Sequence, residues 1–267
     1  MLGVLLLVDF TSLPAAALVG LLHVFAERRS GGLAMRALAL LVGAMPGVAT
    51  LLVYNALAFH SPFRLGYSEV VGFEGMRSGL FGLSLPSLGV LAQITLGLYR
   101  GLLPLSPVLI LVPFGLTRMP RANRDVAIVI IGTIIASLLI NSSYFYWDGG
   151  SSTGPRHLVS MLPLACLPLA FLQPRTSATR AGIAVLAIAS VLISGICAST
   201  EMLADSRSAA PFFDDVLPRF LTPEGWSYAL PLLVSWLGFA ALFLWRDRSG
   251  AQRDELAARP LDPSGEV

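Results

Sequence analysis

The sequence predicts an all-α protein that crosses a membrane several times. Of its 267 residues, 55% are hydrophobic and only 13% are charged, whereas a soluble domain is closer to a quarter charged. Apolar runs of about 20 residues, long enough to cross the hydrocarbon core of a bilayer as helices, recur along the whole chain. These two observations predict about seven transmembrane helices within residues 1–245 and a charged cytoplasmic tail at residues 246–267.

The limits of the predicted spans follow from the charged and glycine-rich breaks between apolar runs. The spans are residues 2–26, 37–59, 102–117, 126–146, 158–172, 181–200 and 228–245. Residues 79–99 are also apolar but contain Pro86, and we interpret them as a re-entrant or interfacial segment. In the last outer loop, apolar residues recur at helical spacing opposite Asp214, Asp215 and Arg219. This pattern predicts a short amphipathic helix on the membrane surface, and a lid packed on the protein is the equally open alternative.

The distribution of arginine predicts the orientation, because cytoplasmic loops carry an excess of basic residues. The loops after spans one, three and five, together with the tail, hold 12 of the 18 basic residues, and all 18 are arginine. We therefore place these regions in the cytoplasm and the N-terminus outside. If residues 79–99 crossed the membrane, Arg118, Arg121 and Arg124 would move outside, which is a further reason to interpret that segment as non-spanning.

The most polar break between two apolar runs is the segment 147–157, which reads WDGGSSTGPRH. Ser152 or Thr153 can cap a following helix, and Pro155 suits its first turn. A helix N-terminus offers free N–H groups and a partial positive charge, and Arg156 adds a forked donor for an anion. The segment predicts a phosphate site at the membrane surface. A capped loop that only joins two membrane helices explains the same residues about equally well.

Other candidate residues fall at the outer ends of the first two spans and of the re-entrant segment. Asp9 is a candidate catalytic acid, although a helix cap explains it slightly better. Asn55 can line a cavity or bond a neighbouring helix. His60 can assist proton transfer, bind phosphate or be an ordinary interfacial histidine. Arg100 can hold a phosphate or extend to the interface as an isolated arginine.

Several motifs together resemble a family of bacterial C-type membrane glycosyltransferases related to dolichyl-phosphate-mannose protein mannosyltransferases, glycosyltransferase family 39. The resemblance covers roughly residues 9–172. It is carried by YN at 54–55, HSPF at 60–63, GY at 66–67, GLFGL at 79–83, YRGLL at 99–103, SP at 106–107, WDGGS at 147–151 and GPRHL at 154–158.

This resemblance implies transfer of a sugar from a polyprenyl-phosphate donor on the non-cytoplasmic face of a bacterial plasma membrane. It implies a lipid-phosphate site formed by Arg156, Arg100, His60 and His157. Contacts to sugar or acceptor are implied for Asp148, Gly149, Gly150, Ser152, Asn55 and Tyr67. The family places its acidic general base in a first outer loop that this chain does not have. We therefore expect the chain to be the C-terminal portion of such an enzyme, or a truncated relative, with a missing N-terminal segment or a partner subunit.

Two functions from other classes fit the same sequence. One is a transporter or flippase for an anionic lipid or solute, and the other is a non-catalytic membrane scaffold. The expected partners are the lipid bilayer and a polyprenyl-phosphate lipid. The three histidines show no metal-ligand spacing, so no cofactor is firmly implied, although a divalent metal stays open. No phosphate-binding glycine loop or nucleophile elbow is present, and the scattered positive charge does not form a nucleic-acid footprint.

The predicted orientation can be tested with single cysteines and an impermeant thiol reagent added to intact cells. Cysteines placed at Ser30, Asn123 or Ser177 should resist labelling, because these loops are predicted to be cytoplasmic. Cysteines placed at Ser151 or Ser208 should react. The native Cys166 and Cys197 are replaced first. Labelling at Asn123 combined with protection at Ser151 would reverse the orientation.

Overall fold

The structure is a computed structural model and describes residues 3, 9–25, 32–64, 72, 74–77, 82–200, 207–225, 227–230, 232–239 and 241. Within these residues the fold is all-α, with one isolated antiparallel bridge between Leu83 and Tyr144. The predicted tail at residues 246–267 lies outside the described residues, and so does Tyr67.

The all-α prediction is confirmed for the described residues, and three of their helices are long and apolar enough to cross a membrane. They are α2 (Leu33–Phe59), α5 (Arg124–Ser143) and α7 (Ser177–Thr200). At 1.5 Å per residue, even the shortest of them rises about 30 Å, the thickness of the hydrocarbon core. Long apolar side chains on α2 and α7 are mostly exposed, as expected for helices that face lipid.

The other four predicted spans correspond to shorter apolar helices. They are α1 (Leu13–Phe25), α4 (Pro107–Leu111 followed by Val112–Arg118), α6 (residues 156–171) and α9, described at residues 227–230 and 232–239. Prolines explain why two of them are irregular. Pro113 lies inside α4, and Pro163 and Pro168 lie inside α6, where each removes a backbone N–H from the helical ladder. As a result α6 alternates between 3-10 turns (Arg156–Met161 and Leu167–Phe171) and a short α-helix (Leu162–Cys166).

Within the apolar segment at residues 79–99, the described residues 82–99 contain a short helix, and its flanks return to one end of the bundle. Helix α3 (Leu88–Leu96) has nine residues and is capped by Ser87, so it rises only about 13 Å. Before it, the backbone N–H of Ser84 donates to Ser143 O (2.8 Å), at the end of α5. After it, Arg100 contacts the loop that follows α5. The segment therefore enters and leaves at the same end of the bundle, which we call the site face.

Two interrupted helices, α4 and α6, pack directly against each other. Gly115 of α4 lies against the carbonyl of Pro168 of α6, so closely that a side chain at this position has no room. At the opposite end from the site face, the guanidinium of Arg118 donates to Gln173 O (3.1 Å). Helix α7 completes the contact, since Ser190 Oγ accepts the otherwise unpaired N–H of Val108 (2.9 Å).

The predicted amphipathic helix of the last outer loop is present as α8, a π-helical turn (Phe212–Val216) followed by an α-helical turn (Leu217–Phe220). Phe212 and Val216 are buried, and α8 packs on α7. Phe213 and Leu221 remain exposed. The helix therefore packs one apolar edge on the protein, as a lid does. Its second apolar edge stays uncovered, as in a helix on the membrane surface.

The close contact between α4 and α6 predicts that a single methyl group added at position 115 destabilises the protein. Gly115→Ala should destabilise the protein by about 1–3 kcal/mol, because the added Cβ meets the backbone of Pro168. The matched control is Gly43→Ala on α2, where no heavy atom lies within 4 Å of the added Cβ. That substitution should be neutral or stabilising, since alanine favours a helix by about 1 kcal/mol over glycine. Thermal unfolding in detergent measures both, and equal melting temperatures would contradict the close contact.

Candidate functional site

A completely buried arginine organises the loop between α5 and α6. Arg100, with 0% of its surface exposed, follows the short helix α3. Its Nε donates to Asp148 O (2.9 Å) and its Nη2 donates to Gly150 O (2.7 Å). Its Nη1 donates to Tyr99 O (3.1 Å). The guanidinium therefore joins two carbonyls of the loop to the end of the re-entrant segment.

Tyr99 and Asp148 complete the surroundings of this buried cation. The guanidinium carbon lies 4.0 Å from the centre of the Tyr99 ring, which is cation–π geometry. The Tyr99 hydroxyl donates to Asp148 Oδ2 (3.3 Å). Burial lowers the pKa of the Arg100 guanidinium below its ordinary value, and Tyr99 and Asp148 oppose that shift. Burial also raises the pKa of Tyr99, so the hydroxyl stays protonated and can donate to the carboxylate.

Arg100 is therefore not exposed for a lipid phosphate, although the sequence made it a candidate for that role. A guanidinium suits its actual position because its planar fork directs separate N–H groups to the two loop carbonyls in a fixed geometry, whereas the lysine ammonium is a compact point charge. The loop carbonyls that it binds belong to Asp148 and Gly150, and Gly149 and Gly150 both have positive φ (71° and 68°). Glycine adopts this left-handed backbone without a Cβ penalty, so the GG pair allows the carbonyls to turn inwards.

The predicted capped helix start after this loop is wrong. Pro155 precedes a 3-10 turn, and no side chain caps it. Ser152 Oγ instead donates to Gly154 O (2.7 Å). The prolines at 163 and 168 explain the difference, because they interrupt the regular ladder that a full α-helix needs behind its first turn. The dipole of a long helix is therefore not available here to favour an anion.

Arg156 is the exposed cation of the loop. A Cβ placed on Gly149 would lie 2.9 Å from Arg156 Cγ and 3.1 Å from Arg156 Nε. The arginine side chain therefore extends over the glycine backbone, and a larger residue at position 149 would displace it. This arrangement fixes the direction of a solvent-facing guanidinium on a loop whose own shape is held by the buried Arg100.

His157 lies at the back of the same loop. Its ring stands edge to face against Tyr144, with 5.4 Å between ring centres. Burial lowers the pKa of His157 and Arg156 lowers it further, while a hydrogen bond with the Tyr146 backbone and the charges of Asp9 and Asp148 raise it. These influences also show that the structure brings Asp9 towards the loop. His157 Nε2 is buried and has no hydrogen-bond partner among the described residues.

Asp9 begins the first helical segment, as the cap interpretation predicts. Its Oδ1 accepts the N–H of Thr11 (2.9 Å), and its backbone carbonyl accepts the Ser12 hydroxyl (2.7 Å). The start of α1 is also tied to α6, because Ser160 Oγ donates to Thr11 O (2.9 Å). Asp9 is thus an exposed carboxylate at the site face, and its oxygens already accept hydrogen bonds from the first residues of a helix.

Tyr144 and Tyr146 hold the loops of the site face together. The Tyr146 hydroxyl donates to Gly72 O (3.0 Å), and it accepts the N–H of Gly75 (3.3 Å). The Tyr144 hydroxyl lies 3.0 Å from Met76 Sδ. Sequence reasoning missed these connections because they join residues about 70 positions apart.

An open cleft of about 550 Å³ lies beside the loop. It is lined by Gln93, Gly97, Leu98, Tyr99, Trp147 and Ala209. Tyr99 and Trp147 meet edge to face, with 6.0 Å between ring centres. Gln93 and Tyr99 were not predicted as site residues. Tyr99 could have been, because it belongs to the YRGLL motif and directly precedes Arg100.

The remaining predicted residues lie at the end of α2. Asn55 is buried, and its Nδ2 donates to Pro62 O (3.3 Å), so it stabilises the turn after its own helix. His60 is exposed and ends α2 in the left-handed region, with φ of 57°. Among the described residues, neither Asn55 nor His60 forms a hydrogen bond with the loop at 147–157. Among the described residues, no three His, Cys, Asp or Glu side chains come together as a metal site.

Comparison with known proteins assigns no family, because no family model, curated protein or solved structure matches the chain.

Removal of the buried Arg100 guanidinium should destabilise the loop between α5 and α6. Arg100→Ala should lower the free energy of unfolding by about 3 kcal/mol or more, since it removes hydrogen bonds from a charged group that are each worth about 1.5–3 kcal/mol. Arg100→Lys should recover only part of this loss. The readouts are thermal unfolding and proteolytic cleavage within residues 147–155. Arg124→Ala, an exposed arginine at the start of α5, is the control, and an equal effect of both substitutions would contradict the role of Arg100.

Proposed function

We propose that this chain binds a polyprenyl-phosphate-linked sugar at its site face, as the C-terminal portion or a truncated relative of a membrane glycosyltransferase. The observation that carries the proposal is the exposed Arg156, held over Gly149. Gly149 lies two residues along the loop from Trp147, which lines the aromatic cleft. Such a ligand has an anionic phosphate, a polar ring and a long apolar tail. A site for it needs a cation, an aromatic surface and contact with lipid at the same place.

The three requirements are met by different parts of the molecule. Arg156 offers a forked donor that suits phosphate oxygens. The cleft combines the rings of Tyr99 and Trp147 with the amide of Gln93, a combination that can stack on a sugar ring and bond its hydroxyl groups. Exposed apolar side chains on the long helices suit contact with the bilayer, into which a polyprenyl tail extends.

The general base is the part of the reaction that we do not assign within this chain. Asp148 accepts a hydrogen bond from Tyr99, and Asp9 caps a helix start, so both carboxylates already have structural partners. The proposal therefore assigns the general base to neither of these two carboxylates. On this proposal the chain contributes donor binding, and transfer requires an acidic group other than Asp9 and Asp148.

A transporter or flippase for an anionic lipid is the second candidate, and a specific observation favours it. Helices α4 and α6 are both interrupted by prolines and meet at Gly115 and Pro168. Interrupted helices in contact are typical of transporter binding sites. A lipid-translocation assay in vesicles separates the two functions, since a donor-binding protein does not move the lipid between leaflets.

The proposal predicts a difference between two similar arginines. Arg156→Ala should weaken binding of a polyprenyl-phosphate headgroup by roughly 1.5–3 kcal/mol, about tenfold or more in affinity. Arg156→Lys should restore only part of the affinity because lysine lacks the planar fork. Binding can be measured by titrating the purified protein with a short-chain polyprenyl phosphate in detergent.

The matched control is Arg121→Ala. Arg121 is also exposed, also follows a proline and also begins a 3-10 turn, but it lies between α4 and α5 at the end opposite the site face. Its loss should leave the affinity unchanged. Equal affinities of the two well-folded alanine variants would refute the proposed anion site.

A further inference from the structure

A row of polar side chains runs along one face of the membrane-spanning helix α5. Thr133, Ser137 and Asn141 follow one another at intervals of four residues, so they lie on the same side of the helix. They are only 0%, 5% and 3% exposed, respectively. From Asn141 to Thr133 the row covers about 12 Å, from the site face to the middle of the helix. We call these three residues the polar row.

The polar atoms of this row are buried without hydrogen-bond partners among the described residues. This holds for Thr133 Oγ1, Ser137 Oγ and both side-chain atoms Oδ1 and Nδ2 of Asn141. Hydroxyl groups in apolar helices ordinarily donate to the carbonyl one turn back. The neighbouring Ser142 and Ser143 do so, since both donate to Leu139 O, at 2.9 and 2.7 Å. The polar row is therefore directed away from its own backbone and towards the protein interior.

The helices around the row indicate what kind of molecule can satisfy it. Helices α1, α3 and α6 pack against α5. The ionisable groups described on these three helices are His23, Arg156, His157 and the thiol of Cys166, and none is a carboxylate. A cation would lack a counter-charge there, and an anion would meet hydroxyl and amide groups without a nearby cation at mid-helix. A neutral molecule that both donates and accepts hydrogen bonds fits best, and water is the smallest one.

The two ends of the row differ. At the site face, Asn141 lies one turn before Tyr144, whose ring contacts His157, and His157 Nε2 and Thr153 Oγ1 are also buried without described partners. At the deep end, the next buried side chains on α5 are the apolar Ile130 and Val129. Polar groups therefore continue along this face of α5 as far as the loop, whereas apolar side chains replace them half-way along the helix.

We propose that the polar row of α5 binds a file of water molecules that enters from the site face and ends at Ile130. The row is enclosed in the described conformation, so water enters when α6 moves against α5. Helix α6 is suited to this motion because its 3-10 turns and the prolines at 163 and 168 replace a continuous helical ladder. The inference does not depend on the proposed sugar-lipid function.

Cysteine reactivity in membranes tests the proposal. In a protein without Cys166 and Cys197, single cysteines replace Thr133, Ser137 and Asn141, and a small water-soluble methanethiosulfonate is the probe. The controls replace Ile131, Ile135 and Leu139, which lie at matching depths on the exposed side of the same helix. Thiols react as thiolates, which form in water and not in hydrocarbon, so the polar row should react about tenfold faster or more.

The proposal also predicts how the rate of cysteine modification changes with depth along α5. Reaction should slow from Asn141→Cys to Thr133→Cys and should be lost at Ile130→Cys. Equal rates for Ser137→Cys and Ile135→Cys would overturn the proposal, and so would fast reaction at Ile130→Cys, which would indicate a path that continues across the membrane.

A second measurement avoids cysteine altogether. Thr133→Val and Ser137→Ala replace each hydroxyl with an apolar group of similar shape. If the row stays dry, removing an unpartnered buried hydroxyl should raise the melting temperature. If the row binds water, the same substitutions remove hydrogen bonds, and the melting temperature should stay equal or fall. A clear rise in both variants would refute the water file.

Discussion

The buried guanidinium of Arg100 is the interaction on which the site face depends. An arginine with no exposed surface is tolerated only where its N–H groups have partners, because an unpaired buried charge is very costly. Here the partners are the backbone carbonyls of Tyr99, Asp148 and Gly150. The need to satisfy this one cation therefore fixes the path of the glycine-rich loop, and that loop carries the exposed Arg156.

The same requirement for paired polar groups explains how the other loops of the site face are joined. In a membrane protein, irregular backbone has to find partners within the protein where water is excluded. The strand-like residues before α3 bond the end of α5, the Tyr146 hydroxyl bonds Gly72 and Gly75, and Ser160 bonds the start of α1. Each of these bonds links segments far apart in sequence. Together they make the site face one connected layer over the helices.

Prolines have the opposite effect within the bundle. Pro113, Pro163 and Pro168 remove donors from α4 and α6, so both helices are short and partly 3-10. The lost regularity is compensated by the contact of α4 with α6 at Gly115 and by the hydrogen bond of α4 to Ser190 of α7. The uninterrupted α5 stands beside α6 and presents the polar row to it. Because α6 is interrupted, small movements of α6 against α5 change the groups that the polar row contacts.

The sequence by itself determined the class of the protein and the approximate place of its helices. Apolar runs and charged breaks are local properties, so they predicted α2, α5 and α7 closely and identified residues 79–99 as a segment unlike the spans. It also selected the loop at 147–157, because glycine pairs and an Arg-His dipeptide are unusual between apolar runs. Only the tertiary structure decided which arginine is structural and which is exposed, since the sequence made both Arg156 and, less strongly, Arg100 candidates for the phosphate site. Burial and hydrogen-bond partners depend on residues about 50 positions away in the chain, and no local pattern contains that information.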